Sequence, residues 1–125
     1  MKIVESNPGA PEDALVIANT ENVLTLAAAV KNARTVVLSF PKWTDGRAYS
    51  QAFLLRARLG FTGEIRATGD VVVDMLPLLR RCGFDAVQLR ADQNRQTALA
   101  TLDQFPGHYQ GDASGTQPAF HGLAA

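Results

Sequence analysis

Cysteine is almost absent from this chain, since Cys82 is the single one among 125 residues. One cysteine excludes an internal disulfide, and it leaves no partner for a paired-cysteine redox site or a cysteine-held iron–sulfur cluster. Histidine is also scarce, and neither His108 nor His121 has a cysteine or second histidine at zinc-ligand spacing. The sequence therefore predicts no metal site, and its cysteine usage is typical of a reducing compartment.

Long apolar runs are missing as well. The first residues, MKIVESNPGAPED, contain no apolar region of the kind found in signal peptides. Nowhere does the chain approach the roughly 20 apolar residues that a membrane-spanning helix needs. A glycine-rich dinucleotide fingerprint is not found either, so the sequence leaves the cofactor unknown. We expect a cytoplasmic protein that does not contact a membrane.

The chain has no excess of positive or negative charge: it contains 12 basic and 12 acidic residues. Zero net charge gives no general electrostatic reason to expect nucleic-acid binding. The distribution is uneven, however, since residues 42–95 hold nine Lys and Arg against six acids, and no Lys or Arg follows Arg95. A locally basic middle fits a small anion or an acidic protein patch.

The length and composition predict one domain. With 46% apolar and 19% charged residues, the chain is ordinary for a globular protein and long enough to bury a core. We interpret residues 1–13 as an irregular leader, residues 14–106 as a single α/β domain, and residues 107–125 as a flexible tail rich in Gly, Ser, Gln and Pro.

Short apolar runs alternate with stretches of helical spacing inside this domain. Strands are predicted at residues 14–18, 35–40, 64–67 and 86–89, and helices at 21–32, 46–59, 71–82 and after Asp92. Pro77 lies within the third helix, where an interior proline costs about 3 kcal/mol. We therefore expect a kink there, or a restart capped by Asp74 that places Pro77 in a first turn.

Four consecutive β-α units require a parallel sheet with right-handed crossovers. A half-TIM-barrel-like sheet with all helices outside is one architecture, and an open doubly wound sheet with helices on both faces is the alternative. Arg66 and Gln88 favour the half barrel, because they are polar residues at the expected carboxyl ends of central strands. A half barrel leaves one apolar face bare, which predicts a homodimer or a tight complex.

Polar side chains cluster where predicted strands end and helices begin. Arg47 and Arg66 are the best ligands for an oxyanion, because guanidinium groups bind oxyanions bidentately, although pairing with nearby aspartates explains them equally well. The aspartates also fit helix caps, and Arg81 fits a helix C-terminus. No nucleophile, base and orienting acid can be assembled from spacing, so the catalytic residues are unknown. The anion- or partner-binding candidates are Lys42, Asp45, Arg47, Tyr49, Arg66, Gly69, Asp70, Asp74 and Arg81.

Several of these residues belong to a pattern of short motifs. The chain contains DGR with a following YS, GEIRA with a following GDV, an aspartate before an apolar run, and then RCGFDA. In its joint spacing this pattern resembles the DUF934 family of small bacterial proteins, over roughly residues 40–110, with a weaker match at Tyr109-Gln110. The segment Met75-Leu76-Pro77 departs from it, because the family more usually has a glutamine after the aspartate and no proline.

The resemblance implies a link with assimilatory sulfite and sulfate reduction, since the family carries an oxidoreductase label connected with sulfite reduction. We expect an accessory or partner protein that binds a small oxyanion or the reductase itself, namely a sulfite reductase or sulfonucleotide reductase subunit. One alternative is a cofactor-dependent oxidoreductase of sulfite reduction, and another is a sensor of a small anion or metabolite. Whether the chain is an enzyme stays open, because sulfite reduction needs a redox cofactor and no motif identifies one.

Overall fold

The chain folds around one parallel β-sheet in a computed structural model, which describes residues 1–4 and 14–104. Short loops join the strands to helices, and two of the helical segments begin with a turn of 3₁₀-helix. In chain order the elements are β1 (Lys2–Val4), β2 (Leu15–Ile17), a 3₁₀ turn (Val23–Leu26), α1 (Ala27–Lys31), β3 (Thr35–Phe40), α2 (Arg47–Ala57), β4 (Glu64–Gly69), a second 3₁₀ turn (Val73–Met75), α3 (Leu76–Arg81), β5 (Ala86–Gln88) and α4 (Arg95–Gln104).

The strands pair in the order β1-β5-β4-β3-β2, and every pairing is parallel. Strands β2 to β5 therefore lie side by side in sequence order, whereas β1 lies beyond β5 at the far edge. The predicted α/β class with a parallel sheet is confirmed. The sheet is open, as the doubly wound alternative requires, and does not close into a barrel.

One face of the sheet carries the main hydrophobic core. Alternate residues of β3 and β4, such as Leu38 and Ala67, are fully buried and pair in register across the two strands. Because strand side chains alternate between faces, these residues form one continuous apolar layer. Each helix contributes to the same buried cluster, as shown by Val30, Leu55, Leu79 and Ala98.

The opposite face is more polar. Val37, Arg66 and Ala86 lie side by side on three neighbouring strands, and none of them belongs to the main core cluster. Val37 and Ala86 are buried, and the side chain of Arg66 between them is only 12% exposed. The sequence predicted that Arg66 lies in a central strand. The aliphatic part of its side chain packs between the apolar neighbours, which allows a charged residue at this position. The homodimer that this face suggested stays a prediction.

The leader is partly a strand. Residues 1–13 were interpreted as irregular, but Lys2–Val4 pair with Ala86–Gln88, which makes this part of the prediction wrong. A three-residue strand carries too little local pattern to identify, and its pairing depends on a segment more than 80 residues away. Residues 5–13 and the predicted flexible tail at 107–125 lie outside the described residues.

Helix starts follow local chemistry in two places. The helix predicted at 21–32 begins with the 3₁₀ turn, where Asn22 Oδ1 accepts a hydrogen bond from Leu24 N at 3.0 Å. Pro77 lies in the first turn of α3, as the restart prediction required, because a proline there displaces no helical hydrogen bond. Asp74 does not cap that helix and lies exposed within the preceding 3₁₀ turn. Within residues 1–4 and 14–104, no helix has the length and apolar content that would cross a membrane.

Candidate functional site

The loops that follow β2, β3, β4 and β5 meet at one edge of the sheet, because parallel strands present their carboxyl ends together. We call this the carboxyl edge and define it by residues 18–22, 41–47, 69–72 and 89–95. Five of the nine candidates selected from the sequence lie here. Their hydrogen bonds show how the loops are held.

Asp70 ties the β3 and β5 loops together. Its Oδ2 accepts a hydrogen bond from Trp43 N at 2.8 Å, and its Oδ1 accepts one from Arg90 Nη1 at 2.7 Å. The Arg90 hydrogen bond, followed by the one from Trp43 N, lowers the pKa of Asp70. The interpretation of Asp70 as a helix cap is wrong, because its oxygens bind groups on other loops.

Arg90 is shared between two aspartates. Besides Asp70, it binds Asp92 through Nε at 2.6 Å and Nη2 at 2.9 Å. These bonds lower the pKa of Asp92 to about 2 and raise the pKa of Arg90. Asp92 was predicted to cap the last helix, but Asn94 has that role, since its Oδ1 accepts from Thr97 N at 3.0 Å.

Asp45 bridges the β2 and β3 loops. It accepts hydrogen bonds from Asn19 Nδ2 at 2.8 Å and from Arg47 N at 3.1 Å, and Arg47 Nε lies 3.6 Å away. The backbone N–H of Arg47 is the main cause that lowers the pKa of Asp45. Gly46, and not Asp45, occupies the N-cap position of α2. The carboxylate of Asp45 nevertheless accepts a hydrogen bond from a backbone N–H in the first turn of the helix, as a capping side chain does.

Gly69 allows β3 and β4 to approach at their ends. Its φ is +96°, and a Cβ there would meet Phe40 O at 2.5 Å. The next N–H groups are already used, because Asp70 N donates to Phe40 O at 2.8 Å and Val71 N donates to Gly69 O at 2.9 Å. The junction thus has a structural role and does not offer these groups to an anion.

Trp43 projects from this fixed loop. It is 55% exposed, although its backbone N–H is held by Asp70 and a turn closes from Asp45 N to Lys42 O at 2.9 Å. Lys42 is exposed, and the side chain of Arg47 is 62% exposed. We call these three residues, Lys42, Trp43 and Arg47, the Trp43 surface.

Arg66 lies elsewhere. It was expected at the carboxyl end of a strand, but it occupies the middle of β4 and donates two hydrogen bonds to Glu64 Oε2, at 3.0 and 2.8 Å. Glu64 also accepts from Lys2 Nζ at 3.1 Å. Burial raises the pKa of Glu64, but the hydrogen bonds from Arg66 and Lys2 outweigh it, so the pKa is lowered overall. The guanidinium of Arg66 is thus directed to the amino end of β4, away from the carboxyl edge.

The remaining predicted residues are scattered. Tyr49 packs edge-to-face on Phe40 with ring centroids 5.0 Å apart, and burial raises its pKa. Asp74 and Arg81 are exposed at the two ends of the α3 segment, and within the described residues neither forms an ion pair. Lys42, Asp45, Arg47, Gly69 and Asp70 are therefore the predicted residues that the fold brings together at the carboxyl edge.

Arg56 was not singled out by the sequence analysis. Its side chain is 7% exposed and donates to the carbonyl oxygens of Phe61, Gly63 and Gly83 and to Asp85 Oδ2. Gly63, Gly83 and Asp85 belong to the GE and RCGFD motifs, so part of the recurring pattern surrounds this buried arginine. Asp85 also accepts from Ile65 N at 3.0 Å. Conformational stability is thus one reason for the motif spacing.

Gln51 is a second residue that was not predicted from the sequence. Its side chain amide donates to Ala18 O and Glu21 O, both at 2.9 Å, and thereby fixes the β2 loop on α2. Gln51 is 5% exposed, and among the described residues its Oε1 has no hydrogen-bond partner. A glutamine on a predicted helix face carries no local signal for such a tertiary contact.

Described residues line a cavity at each of the two edges of the sheet. A small one of about 110 Å³ lies at the carboxyl edge between the ends of β1 and β5, where Arg90, Gln93 and Arg95 supply its polar lining. A larger one of about 620 Å³ lies at the amino ends of β3 and β4. Within residues 1–4 and 14–104, no three His, Cys, Asp or Glu residues are grouped so as to hold a metal ion.

Comparison with known proteins identifies the family. A family model described as "Bacterial protein of unknown function (DUF934)" matches residues 14–120, which extends the resemblance towards the N-terminus by three predicted elements. No curated protein and no solved structure matches the chain. The match spans the described domain from β2 to α4 and includes every motif that lies around Asp45, Asp70 and Arg56. The chain belongs to the DUF934 family of bacterial proteins of unknown function.

Proposed function

We propose that this chain is a partner protein of assimilatory sulfite or sulfate reduction and contacts the reductase through the Trp43 surface. The observation that carries the contact is the exposure of Trp43 on a loop whose backbone is fixed by Asp70. Tryptophan and arginine are enriched among the residues that dominate protein interfaces. A pre-ordered loop also loses little conformational entropy on binding.

Charge on this surface indicates the chemistry of the partner. Lys42 makes no ion pair within the described residues, and Arg47 contacts Asp45 at a distance of 3.6 Å while remaining largely exposed. Two cations beside an exposed indole favour an acidic patch that also contains an apolar depression. The connection with sulfite reduction rests on the label carried by the family, and the identity of the partner as a reductase subunit is part of the proposal.

The oxidoreductase alternative receives less support from the geometry. An enzyme would need a concave site built from candidates such as Arg47, Arg66 and Asp70. Arg66 instead binds Glu64 on the sheet face, whereas Asp70 binds Arg90 at the carboxyl edge. Both carboxylates have lowered pKa values, which suits an ion pair and not a general base poised near neutral pH.

The test is purification of the tagged protein from cells that grow on sulfate as the sole sulfur source. We expect a sulfite reductase or sulfonucleotide reductase subunit to co-purify with the wild-type chain and to be lost with Trp43→Ala. Leu99→Ala is the matched control, because Leu99 is a comparably exposed apolar residue at 49% but lies on α4. It should leave the complex intact.

Two outcomes would contradict the proposal. The first is that no reductase subunit accompanies the wild-type protein. The second is that Trp43→Ala retains the subunit as well as Leu99→Ala does, which would move the contact to another surface. The visible absorption spectrum of the purified chain is recorded in the same experiment, and a coloured chain without a partner would favour the oxidoreductase alternative.

A specific observation favours oxyanion sensing as a second candidate function. The cavity of about 110 Å³ is lined by Arg90 and Arg95 and has the dimensions for a small ion such as sulfite or sulfate. Arg90 already binds Asp70 and Asp92, which reduces its attraction for another anion. Binding of sulfite in this cavity should stabilise the folded state. At a sulfite concentration of about 100 times the dissociation constant, the free energy of unfolding should rise by roughly 2.7 kcal/mol. An unchanged melting temperature in sulfite and sulfate would remove this candidate.

A further inference from the structure

The larger cavity lies at the edge of the sheet opposite to the Trp43 surface. It has a volume of about 620 Å³ and is bordered by the segments that precede β3 and β4. This volume falls within the range of about 300–1,000 Å³ that is typical of small-molecule sites. Its lining residues are Ala27, Val30, Lys31, Ala33, Arg34, Leu59, Gly60, Phe61, Thr62 and Gly63.

The cavity has an apolar floor. Val30 and Phe61 are 3% and 8% exposed and belong to the main core cluster, and Ala33 and Leu59 are half-buried beside them. These side chains come from α1, from the end of the α2 segment and from the loop before β4, so the floor is part of the rigid domain. An apolar ligand group that packs on this floor would bury one side away from water, which favours binding.

The rim is cationic. Lys31 and Arg34 are exposed, and within residues 1–4 and 14–104 neither forms a hydrogen bond or an ion pair through its side chain. Of the lining residues that the structure describes, none is acidic. The charge that the described lining residues contribute to this rim is therefore positive.

The loop before β4 adds hydrogen-bond donors. Gly60, Thr62 and Gly63 line the cavity, and in the described part of the chain their backbone N–H groups bind no acceptor. Arg56 fixes the backbone of this loop, because its side chain donates hydrogen bonds to Phe61 O at 2.8 Å and to Gly63 O at 2.7 Å. Lining N–H groups without an acceptor are available as hydrogen-bond donors for the oxygens of an anionic group.

We propose that this cavity binds a small organic anion, with an apolar body on the Val30 and Phe61 floor and a carboxylate or sulfonate group at Lys31 and Arg34. Charge complementarity selects the anion, and the buried floor selects the apolar body. The site is independent of the partner-protein role, because it shares no residue with the Trp43 surface. A simple inorganic oxyanion has no apolar part that could contact the Val30 and Phe61 floor, so an organic anion fits the cavity better.

The test uses naphthalene-1-sulfonate as the probe and 1-naphthol as its uncharged counterpart. Backbone amide signals of isotope-labelled protein are followed by nuclear magnetic resonance during titration with each compound. We expect saturable shifts at residues 60–63 with the sulfonate, and an affinity for 1-naphthol about fivefold lower, since the contribution of each exposed cation is modest.

Two double variants separate the cavity from general charge attraction. Lys31→Gln with Arg34→Gln should weaken sulfonate binding about fivefold. Lys42→Gln with Arg47→Gln removes the same charge at the opposite edge and should leave the affinity unchanged. All four side chains are exposed, and an unchanged spectrum without ligand verifies that each variant is folded.

Three results would overturn the proposal. They are the absence of saturable shifts at residues 60–63, equal affinities for the sulfonate and 1-naphthol, and undiminished binding by the Lys31 and Arg34 double variant. None of them bears on co-purification of a reductase, so the two proposals fail separately.

Discussion

Arg56 and Asp85 form an ion pair with Arg56 Nη2 2.5 Å from Asp85 Oδ2, between residues that are 29 positions apart in the sequence. The pair connects the end of α2 to the turn that precedes β5. Because Arg56 also binds three backbone carbonyls, it fixes both the loop before β4 and the loop before β5. This one side chain therefore couples the amino ends of two central strands.

Replacement of Arg56 by methionine should destabilise the fold by about 2 kcal/mol, since it leaves three backbone carbonyl oxygens without their donor, while Asp85 is partly exposed and keeps its hydrogen bond from Ile65 N. Urea unfolding measures the change. Arg58→Met is the matched control, because Arg58 is exposed at the same helix end and should change stability by less than about 0.5 kcal/mol. Equal losses in the two variants would show that the hydrogen bonds of Arg56 contribute little.

Gly83→Ala should also be costly. Gly83 has φ +105°, and an added Cβ would lie 2.7 Å from Arg56 Cγ, so backbone strain and displacement of Arg56 act together. We expect a loss of about 2 kcal/mol or more in the free energy of unfolding.

Gly60→Ala provides the comparison. Gly60 has φ +67° but open space around its Cβ position, so only the backbone strain of about 1 kcal/mol applies. Thermal and urea unfolding of both variants give the difference. If Gly60→Ala were as destabilising as Gly83→Ala, contact of the new Cβ with Arg56 would not explain the loss of stability at position 83.

The Arg90–Asp92 pair predicts a pH dependence. Folding lowers the pKa of Asp92 from 3.8 to about 2, so the folded state favours the ionised carboxylate. Its contribution to stability is therefore fully present above about pH 4 and is lost as the pH falls through about 2. The melting temperatures of the wild type and Asp92→Asn should differ above pH 4 and converge in acid.

Salt provides the control for that prediction, because Asp92 is largely exposed and its ion pair is screened. The difference between the two melting curves should shrink at high ionic strength. A difference that grows towards low pH would have the wrong sign for an ionised native carboxylate.

Trp43 is the single tryptophan, so intrinsic fluorescence reports directly on the Trp43 surface. Because the side chain is 55% exposed, native emission should be close to that of the unfolded chain and readily quenched by acrylamide. Trp43→Ala should change stability by no more than about 0.5 kcal/mol. Emission shifted strongly to the blue in the isolated native protein would contradict this exposure.

Local patterns were sufficient for much of the fold. The runs at 35–40 and 64–67 are strands because β-branched and apolar side chains pack well on a pleated, buried surface. Pro77 begins a helix because its fixed φ suits a first turn. By contrast, Lys2–Val4 carry no comparable pattern, and β5 alone determines their pairing.

The candidate site was predicted less well. Lys42, Asp45, Arg47, Gly69 and Asp70 lie near one another at the carboxyl edge, because the parallel topology brings adjacent strand ends together. Their role in binding stays a prediction. Arg66 was placed there wrongly, since the direction of a long side chain depends on its partner, Glu64. Arg90 and Gln51 were missed for the same reason.

Apolar periodicity, turn residues and motif spacing were enough to predict the α/β class, the parallel direction of the main strands and the family, because these features are local along the chain. Which charged side chains meet depends on the tertiary fold. Asp70 lies with Arg90 and Arg56 lies with Asp85, each across 20 residues or more. Such pairs depend on strand register and loop direction, which arise when the whole sheet assembles and which no short stretch of sequence encodes.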